Sequence, residues 1–445
     1  MSSSDELKPT GPVDQKRAEL RFTPQQGRVN VQVMLGEEEV SRLTLHDLPM
    51  LIDGRVLRMG GIGGVQTRPE HRKHGSARQM LAGTVQYMKD NEFDVAMLFG
   101  IANFYHRFGF ITTLIDSKIT IPTRFAENAS KDEETQPKDA PRRIRPYDPA
   151  RDLPAVRSIY SAKSSGQRGR LARQAEGWWG FRLGSVFGRG VDVKVLVEGE
   201  PDAEHVVGYF ALDQTDEDVI APEVEAVDVA GLKLILAYLA ELAVERRLGQ
   251  VTFFIHPESD MARLLRFLGA DVYVTYNFDR GSMARVINLE STLQKLSPVL
   301  GQRLTSALGT KDAGNTRLVI AIWDANSARP DLTAATWSPA KAEAGAAAAA
   351  GLGLQAVLIQ AASDGLKITG LAEHEAREVL ALREAAAGVP VLALPQELFT
   401  QLLFGYRPAA DILSEPSVRV TPRLTPVIEA LFPAGLPYMT RVDRF

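Results

Sequence analysis

The sequence predicts an α/β protein with mixed α+β sheets, and three observations indicate this class. Short strand patterns fill the first 67 residues, and an amphipathic helical pattern then covers Ser76–Asn91. A similar order of strands and helices returns after residue 142. The 445 residues are enough for about three domains of ordinary size. We therefore expect two related α/β domains followed by a third unit of α+β type.

The composition excludes several classes of protein. The 51 basic and 55 acidic residues nearly balance, whereas a nucleic-acid binder needs a basic stripe that replaces phosphate counterions. No segment approaches the ~20 apolar residues of a membrane-spanning helix, and the polar N-terminus lacks the apolar centre of a signal peptide. Cysteine is absent, so disulfides and thiolate sites are excluded. We expect a cytoplasmic protein that binds neither nucleic acid nor membrane.

The first region, residues 1–125, is divided by clear turn signals. Strand patterns cover Arg17–Phe22, Arg28–Leu35 and Val40–Leu48. Asp53-Gly54 is a favoured hairpin turn, and the strand Arg55–Thr67 follows it. This strand contains four glycines, which weaken a strand and indicate a bulge or the close approach of another backbone: Gly60, Gly61, Gly63 and Gly64. A buried strand is expected at Phe93–Phe99, and a short aromatic helix ends at Gly109.

The rest of the chain divides into a linker and two further regions. Residues 126–141 are charged and nearly free of large apolar side chains, which predicts a linker. Residues 142–283 repeat the plan of the first region, including the long helix Leu232–Arg247, and we interpret them as a diverged duplicate. The pattern changes again at residue 284. We expect a separate domain over 284–445, with helices at Leu289–Leu308 and Pro395–Phe404.

One segment has the features of a phosphate-binding loop. The strand ending at Val65-Gln66-Thr67 leads through Arg72-Lys73-His74 into a helix that begins at Gly75-Ser76-Ala77. The first turn of a helix presents unpaired backbone N–H groups and the positive end of the helix dipole. A pyrophosphate binds there without a matched set of side chains. The small residues leave room for it, and Arg72 and Lys73 add positive charge.

These residues carry a resemblance to a known family. Arg72-x-x-Gly75-x-Ala77 resembles the Arg/Gln-x-x-Gly-x-Gly/Ala signature of GNAT acetyltransferases. Tyr105-x-x-x-Gly109-Phe110, which follows downstream, resembles their aromatic segment. Over residues 28–445, the order of regions and the final Phe445 are similar to the enhanced-intracellular-survival (Eis-type) acetyltransferases. That resemblance implies a GNAT domain at 1–125, a degenerate GNAT domain at 142–283, a sterol-carrier-like domain at 284–445, and a homo-hexamer.

The resemblance also implies an activity and roles for particular residues. It implies an N-acetyltransferase that transfers acetyl from acetyl-CoA to a small-molecule primary amine, such as an aminoglycoside-like polyamine, or to lysine. Tyr105 corresponds to the general acid, and the terminal carboxylate of Phe445 corresponds to the base. The backbone of Val65, Gln66 and Thr67 corresponds to the positions that pair with pantetheine and the oxyanion. The remaining expected coenzyme contacts are Arg72, Lys73, His74, Gly75, Ser76 and Ala77.

Alternatives remain open for the base and for a metal. Asp443 and Glu70 are other possible bases. His71 and His74 are three residues apart in a turn, but the neighbouring Arg72 and Lys73 would repel a cation. We therefore expect no metal.

The sequence departs from the GNAT pattern at three points. Only about sixteen loosely patterned residues precede the strand at Arg17, so the first strand and the two helices of a complete GNAT domain have no counterpart. Gly100 stands where the family often has a serine, and Asp228 in the second region would repel phosphate. Either the acceptor site is unusually open, or the second domain or a neighbouring subunit supplies the wall that these helices form in the family. The alternative function is an acetyl-CoA-binding oligomer that lacks transferase activity because the helices are missing. A lipid carrier that works through the last domain is a third possibility.

Overall fold

The computed structural model describes residues 18–129, 141–173, 178, 180–181, 191–213, 218–324, 353–362, 365–381 and 388–445. The strands are β1 Ala18–Gln25, β2 Arg28–Leu35, β3 Glu38–Ile52, β4 Arg55–Thr67, β5 Val95–Gly100, β6 Ile111–Thr112, β7 Asp116–Pro122, β8 Arg142–Pro146, β9 Arg168–Leu171, β10 Val191–Glu198, β11 His205–Asp213, β12 Val219–Ala221, β13 Glu223–Ala226, β14 Gln250–Phe253, β15 Asp271–Thr275, β16 Gly281–Val286, β17 Arg317–Trp323, β18 Leu354–Ala362, β19 Gly365–Leu371, β20 Val391–Pro395 and β21 Arg419–Val420. The helices are α1 Ser76–Asp90, α2 Thr123–Ala129, α3 Pro149–Ser164, α4 Val229–Glu245, α5 Asp260–Phe267, α6 Leu289–Gly314, α7 Glu373–Ala381, α8 Gln396–Phe404, α9 Ala409–Leu413 and α10 Thr425–Leu431.

The first sheet confirms the predicted mixed α/β class. Its strand order is β1-β2-β3-β4-β5-β16-β6, with β9 added to β3. Neighbouring strands are antiparallel except for the parallel pair β4–β5, which α1 connects. The helix buries Met80, Leu81, Val85 and Met88 against the sheet, as its spacing predicts. Both residues of the predicted turn Asp53-Gly54 have positive φ, at 50° and 77°, which a type I′ hairpin requires.

The sheets exchange strands between the regions that the sequence divides. β7 lies within residues 1–125 but pairs with β14 and β15 in the sheet β12-β14-β7-β15. Conversely, β16 begins at Gly281 and pairs with β5 and β6 of the first sheet. The predicted boundaries at 125 and 283 therefore do not coincide with the edges of the sheets. Periodicity gives the order of the elements, whereas strand pairing over 160 residues is decided by tertiary contacts.

The start of the predicted linker is helical. α2 covers Thr123–Ala129, and Ala126 is fully buried in the core of the second region, where Phe125 also packs. The first residues of the predicted linker, 126–129, therefore belong to a packed helix. Residues 130–140 of the predicted linker lie outside the described residues.

The third region packs against the first sheet rather than standing apart. Its own sheet has the order β19-β18-β17-β20-β21. Leu293 and Leu300 of α6 belong to one apolar core with Met59 of β4 and Met97 of β5. This core lies on the face of the first sheet opposite α1, since Met59 and Met97 alternate with residues of the α1 core. No helix of the described residues is long and apolar enough to cross a membrane.

Candidate functional site

The candidate site begins where β4 and β5 separate. The two strands are paired from Met59 opposite Val95 to Ile62 opposite Leu98. Beyond this point β4 continues to Thr67, and β5 continues to Gly100. The other edge of each strand is occupied by β3 and β16. In the described part of the chain, the β5-facing backbone edge beyond Ile62 has no strand partner, so an extended ligand has room to pair with it.

Glycines shape β4 at this gap, as the sequence predicted. The pairing of β4 with β3 shifts its register between Gly63 and Gln66, and Gly64 has a φ of 63°. These are the features of a β-bulge. The second predicted consequence, the close approach of another backbone, is also confirmed. A Cβ at Gly63 would stand 3.4 Å from the carboxyl carbon of Phe445.

One groove contains every residue that the sequence assigned to the coenzyme. Its volume is about 1220 Å³, and it extends from the bulged end of β4 to the start of α1. Tyr105 lines the same groove. The predicted coenzyme contacts along it are Val65, Gln66, Thr67, Arg72, Lys73, His74, Gly75, Ser76 and Ala77.

The groove presents a positive surface and an open helix terminus. Gly75 precedes α1 with a φ of 86°, and no side chain caps the helix. A Cβ at Gly75 would have nothing within 4 Å, so the terminus is open. The lining contains one carboxylate, Glu39, against six arginine and lysine residues: Arg42, Arg68, Arg72, Lys73, Arg78 and Arg107. This balance favours an anionic ligand although the whole chain has a formal charge of −4.

Tyr105 is held by aromatic packing at the end of the groove. It is 8% exposed, and its ring meets that of Phe104 edge-on at 4.8 Å. Burial raises the pKa of the Tyr105 hydroxyl, which keeps it protonated at neutral pH. A Cβ at Gly100 would stand 2.8 Å from the Tyr105 ring and 2.6 Å from Sδ of Met283. The glycine that departs from the family pattern therefore makes room for these two side chains.

Phe445 packs against the face of the sheet opposite to Tyr105. It is 8% exposed, and its ring meets Phe99 edge-on at 5.3 Å. His46 lies beside it, with ring centroids 5.8 Å apart. In β5, Phe99 contacts Phe445, whereas the adjacent Gly100 faces Tyr105. Because successive residues of a strand point to opposite faces, Tyr105 and Phe445 lie on opposite faces of the sheet.

Two other candidates from the sequence prove to be differently placed. The Asp443 side chain is fully buried and bonded to Arg173, so it is not available as a base. Glu70 is exposed beside Glu38 and His71, and the three ligand atoms lie within 4.8 Å of one another. Arg68 forms an ion pair with Glu38 at 2.9 Å, which places a competing cation in this group. His74, the second histidine considered for a metal, is not part of it.

Sequence reasoning missed His46. It lies opposite Gly61 in the β3–β4 pairing, and its Nε2 would be 3.5 Å from a Cβ at Gly63. The carboxyl carbon of Phe445 is 3.4 Å from the same position. The only signal in the sequence is an imidazole in an alternating strand that precedes the glycine-rich one. Its proximity to the end of the chain depends on contacts about 400 residues apart.

The corresponding helix terminus of the second region is filled by its own side chain. Asp228 caps α4 and accepts a hydrogen bond from the Gly231 N–H at 2.7 Å. Arg142 donates two hydrogen bonds of 2.8 Å to the same carboxylate. At the start of α4 the Asp228 carboxylate therefore occupies the position of an anion, whereas the start of α1 at Gly75 has no such group.

Strands of the first and second regions lie along β3 in the described part of the chain. β1 and β2 are joined by only two residues, Gln26 and Gly27, so no helix separates these described strands. β9 of the second region pairs with β3, and Ala172 N–H donates to Pro49 O at 2.8 Å. The second region therefore covers part of β3.

Comparisons with known proteins identify the first region. Residues 7–112 match a family model described as an acetyltransferase (GNAT) domain. No curated protein matches the chain. Similar solved structures include a protein of unknown function from Enterococcus faecalis V583, described as a probable N-acyltransferase. Its TM-score is 0.65 at 15% identity, over 94% of this chain and 90% of that one.

Two further structures show the same likeness. A GCN5-related N-acetyltransferase from Anabaena variabilis has a TM-score of 0.63 at 15% identity, over 94% of this chain and 89% of that one. Eis1 from Mycobacterium abscessus has a TM-score of 0.58 at 15% identity, over 96% and 100%. At these identities the likeness establishes the fold. The chain thus contains a region that matches a GNAT acetyltransferase domain, within a mixed α/β fold that it shares with these solved structures.

Proposed function

We propose that this protein transfers the acetyl group of acetyl-CoA to a primary amine by direct attack of the amine on the thioester. The observation that carries the proposal is the gap between β4 and β5, with Tyr105 at one face and the end of the chain at the other. Acyl transfer needs a base for the amine, N–H donors for the oxyanion and an acid for the leaving thiolate. The gap between β4 and β5 suits these three requirements, because a carboxylate lies at one face, a tyrosine hydroxyl at the other and backbone N–H groups at its edge.

The groove supports binding of coenzyme A in an extended form. The open terminus of α1 and the residues Arg72 to Ala77 suit the pyrophosphate, because backbone N–H groups and positive charge converge there. The free edge of Val65, Gln66 and Thr67 suits the pantetheine arm, whose amides pair like a strand. In this arrangement the thioester lies at the separation of β4 and β5.

The proposed reaction has two steps: attack of the amine forms a tetrahedral intermediate, and this intermediate then breaks down. The neutral amine forms a C–N bond to the thioester carbonyl, and the oxyanion accepts hydrogen bonds from backbone N–H groups of β4. The carboxylate of Phe445 accepts the proton of the new ammonium. The C–S bond then breaks, and the Tyr105 hydroxyl donates its proton to the thiolate sulfur. A terminal carboxylate is ionised at neutral pH and can therefore accept this proton.

Release of coenzyme A from acetyl-CoA, measured against a panel of amines, tests the proposal. The panel contains an aminoglycoside, a linear polyamine and a lysine peptide. We expect turnover with at least one amine and no turnover with the corresponding alcohol. Tight binding of acetyl-CoA without turnover on any amine would instead support the alternative, an acetyl-CoA-binding oligomer.

The role of Phe445 has its own test. A Gly-Ser extension past Phe445 moves the carboxylate away from β4 but leaves the groove unchanged. We expect kcat to fall about 10²-fold, within the range of general base catalysis, with unchanged affinity for coenzyme A. Full activity of the extended protein would remove Phe445 from the mechanism.

The resemblance to Eis-type enzymes supports assignments for the other regions. We assign residues 142–283 to a degenerate GNAT domain that does not bind coenzyme A, because the carboxylate of Asp228 occupies its helix terminus. We assign residues 284–445 to a sterol-carrier-like domain. Titration calorimetry with coenzyme A is expected to show one site per chain.

An exposed aromatic surface supports the proposed homo-hexamer. β15 is the last strand of its sheet, and no described strand covers its outer edge. Aromatic side chains in this strand or close to it along the chain are open to solvent: Phe267 at 91%, Tyr273 at 55%, Tyr276 at 54% and Phe278 at 91%. Exposed aromatic side chains are typical of protein interfaces. Light scattering is expected to give six chains for the parent and fewer for Phe278→Ser.

A further inference from the structure

The second region contains a fully buried arginine that bonds to the C-terminal tail. The Arg173 guanidinium, 0% exposed, donates to both carboxylate oxygens of Glu223 at 2.6 Å. On its other side it donates to Asp443, with Nε 3.1 Å from Oδ1 and the second terminal nitrogen 3.1 Å from Oδ2. Burying an arginine is strongly unfavourable unless carboxylates and hydrogen bonds compensate for the lost hydration. Here two carboxylates from distant parts of the chain share one guanidinium.

Further donors complete this buried cluster. The hydroxyl of Tyr209 donates to Glu223 at 2.7 Å, and the hydroxyl of Thr440 donates to the same carboxylate at 3.0 Å. The indole N–H of Trp178 donates to Asp443 at 3.3 Å. A network in which each member has partners holds a single arrangement, because any displacement leaves buried charge unpaired. Thr440 is thereby fixed on β13 through Glu223, and Asp443 is fixed on Arg173 and Trp178.

The tail is also fixed before and after this cluster. The Tyr438 N–H donates to Arg168 O at 2.9 Å, and its hydroxyl donates to Phe254 O at 2.6 Å. The Arg444 side chain donates to Asp116 at 2.7 Å. Phe445 is two residues beyond Asp443, and an extended chain spans at most about 3.6 Å per residue. The position of Asp443 therefore restricts the terminal carboxyl to a small volume beside β4.

We propose that the buried bridge Glu223–Arg173–Asp443 is a positioning element that holds the carboxylate of Phe445 in the active site. The inference rests on the proposed function of that carboxylate. It gives the second region a role in the reaction without a coenzyme site of its own, since β13 and Arg173 form the seat of the tail. None of the three residues touches a reacting atom. Their effect on the rate passes through the position of Phe445.

The variant Asp443→Asn tests the bridge with little change of shape. It removes the negative charge of the Asp443 side chain and leaves Arg173 paired with Glu223. Asp152→Asn is the matched control. Asp152 is also buried, 1% exposed, and it accepts two hydrogen bonds from Arg145 at 2.7 and 2.8 Å without contacting the tail. Thermal midpoints of both variants show whether each remains folded.

The first measurement does not depend on acetyl transfer. Carboxypeptidase A removes aromatic C-terminal residues from accessible chain ends, and release of Phe445 reports whether the tail is docked. We expect the parent and Asp152→Asn to resist digestion equally, and Asp443→Asn to release Phe445 at least about tenfold faster. Equal resistance of all three folded proteins would overturn the proposal. If Asp443→Asn does not fold, Thr440→Val decides in its place, because it removes only one hydroxyl from the cluster.

The second measurement separates positioning from general stability. We expect Asp443→Asn to lower kcat about 10²-fold, the scale of a small misplacement of a catalytic group, with unchanged coenzyme affinity. Adding the Gly-Ser extension is then expected to cause less than about a twofold further loss, whereas Asp152→Asn loses as much from the extension as the parent does. Independent, multiplicative losses in the Asp443 variant would contradict the proposal. A parent without acetyl transfer would refute the proposed function, and the digestion would still decide whether the bridge holds the tail.

Discussion

The ring of Phe445 lies directly on the backbone of Gly61. A Cβ at Gly61 would stand 2.8 Å from both Cε2 and Cζ of that ring, closer than real Cβ contacts allow. We therefore expect Gly61→Ala to displace the Phe445 ring and, with it, the terminal carboxylate. The expected result is a fall in kcat of about 10-fold to 10²-fold at unchanged coenzyme affinity, the effect of a misplaced catalytic group.

A second glycine provides the control for this variant. A Cβ at Gly249 would have no atom within 4 Å, so Gly249→Ala adds a methyl group without displacing anything. Steady-state kinetics of the two variants, with the thermal midpoint of each, complete the comparison. A Gly61→Ala protein with the kcat of the parent would mean that the position of Phe445 is not critical.

Tyr105→Phe removes one hydroxyl and keeps the ring in its aromatic contacts. General acid catalysis contributes roughly 10²–10⁴-fold, and we expect a loss of kcat near the lower end, because a thiolate is a fair leaving group. Stability and coenzyme binding are expected to stay unchanged. Phe104→Leu is the control for packing, since the Phe104 ring packs edge-on against Tyr105 and its loss would lower the thermal midpoint. Full activity of Tyr105→Phe would mean that water protonates the thiolate.

Activity at alkaline pH reports the ionisation of Tyr105. Burial raises the pKa of Tyr105, so the folded protein favours the neutral phenol. That contribution to stability is complete below the ordinary tyrosine pKa of about 10 and is lost as pH rises through the higher folded value. We expect kcat/KM to increase with pH as the amine deprotonates, and to fall only above about pH 10. An alkaline fall with a midpoint near 8, absent in Tyr105→Phe, would contradict this protonation state.

Gly75→Asp tests the helix terminus as the anion site. The side chain would enter the open groove and place a negative charge where the pyrophosphate is expected. We expect coenzyme affinity to fall at least about tenfold, because like charges repel in a partly enclosed groove. Gly75→Ala is the control for backbone strain. The φ of 86° at Gly75 is unfavourable for alanine and aspartate alike, so only the difference between the two variants reports the added charge.

The corresponding glycine of the second region does not serve as a neutral comparison. A Cβ at Gly231 would meet Leu196 at 3.1 Å and Ala226 at 3.2 Å, so Gly231→Asp would also disturb the core. Asp228→Asn is the better variant for comparing the two helix termini, because it removes the carboxylate that caps α4 without adding atoms. Calorimetry that finds a second coenzyme site in the unmodified chain would contradict the assignment of a single site.

The sequence alone determined the local part of this protein. The order of strands and helices in the first region, the hairpin at Asp53-Gly54 and the start of α1 follow from turn residues and apolar spacing. That the residues from Val65 to Ala77 share a groove was also predictable, because they lie close together along the chain. The bulge in β4 followed from its glycines, since few other residues permit that backbone.

Only the tertiary structure decided which distant segments meet. The exchange of β7 and β16 between sheets, the contact of His46 with Phe445 and the burial of Arg173 against Asp443 join residues that are about 130 to 400 positions apart. No periodicity encodes such pairs. An exposed aspartate and a buried one have the same letter in the sequence, and Asp443 was for that reason a plausible base until its burial was known. The free energy of desolvating a charge depends on every segment that surrounds it, and that sum exists only in the folded chain.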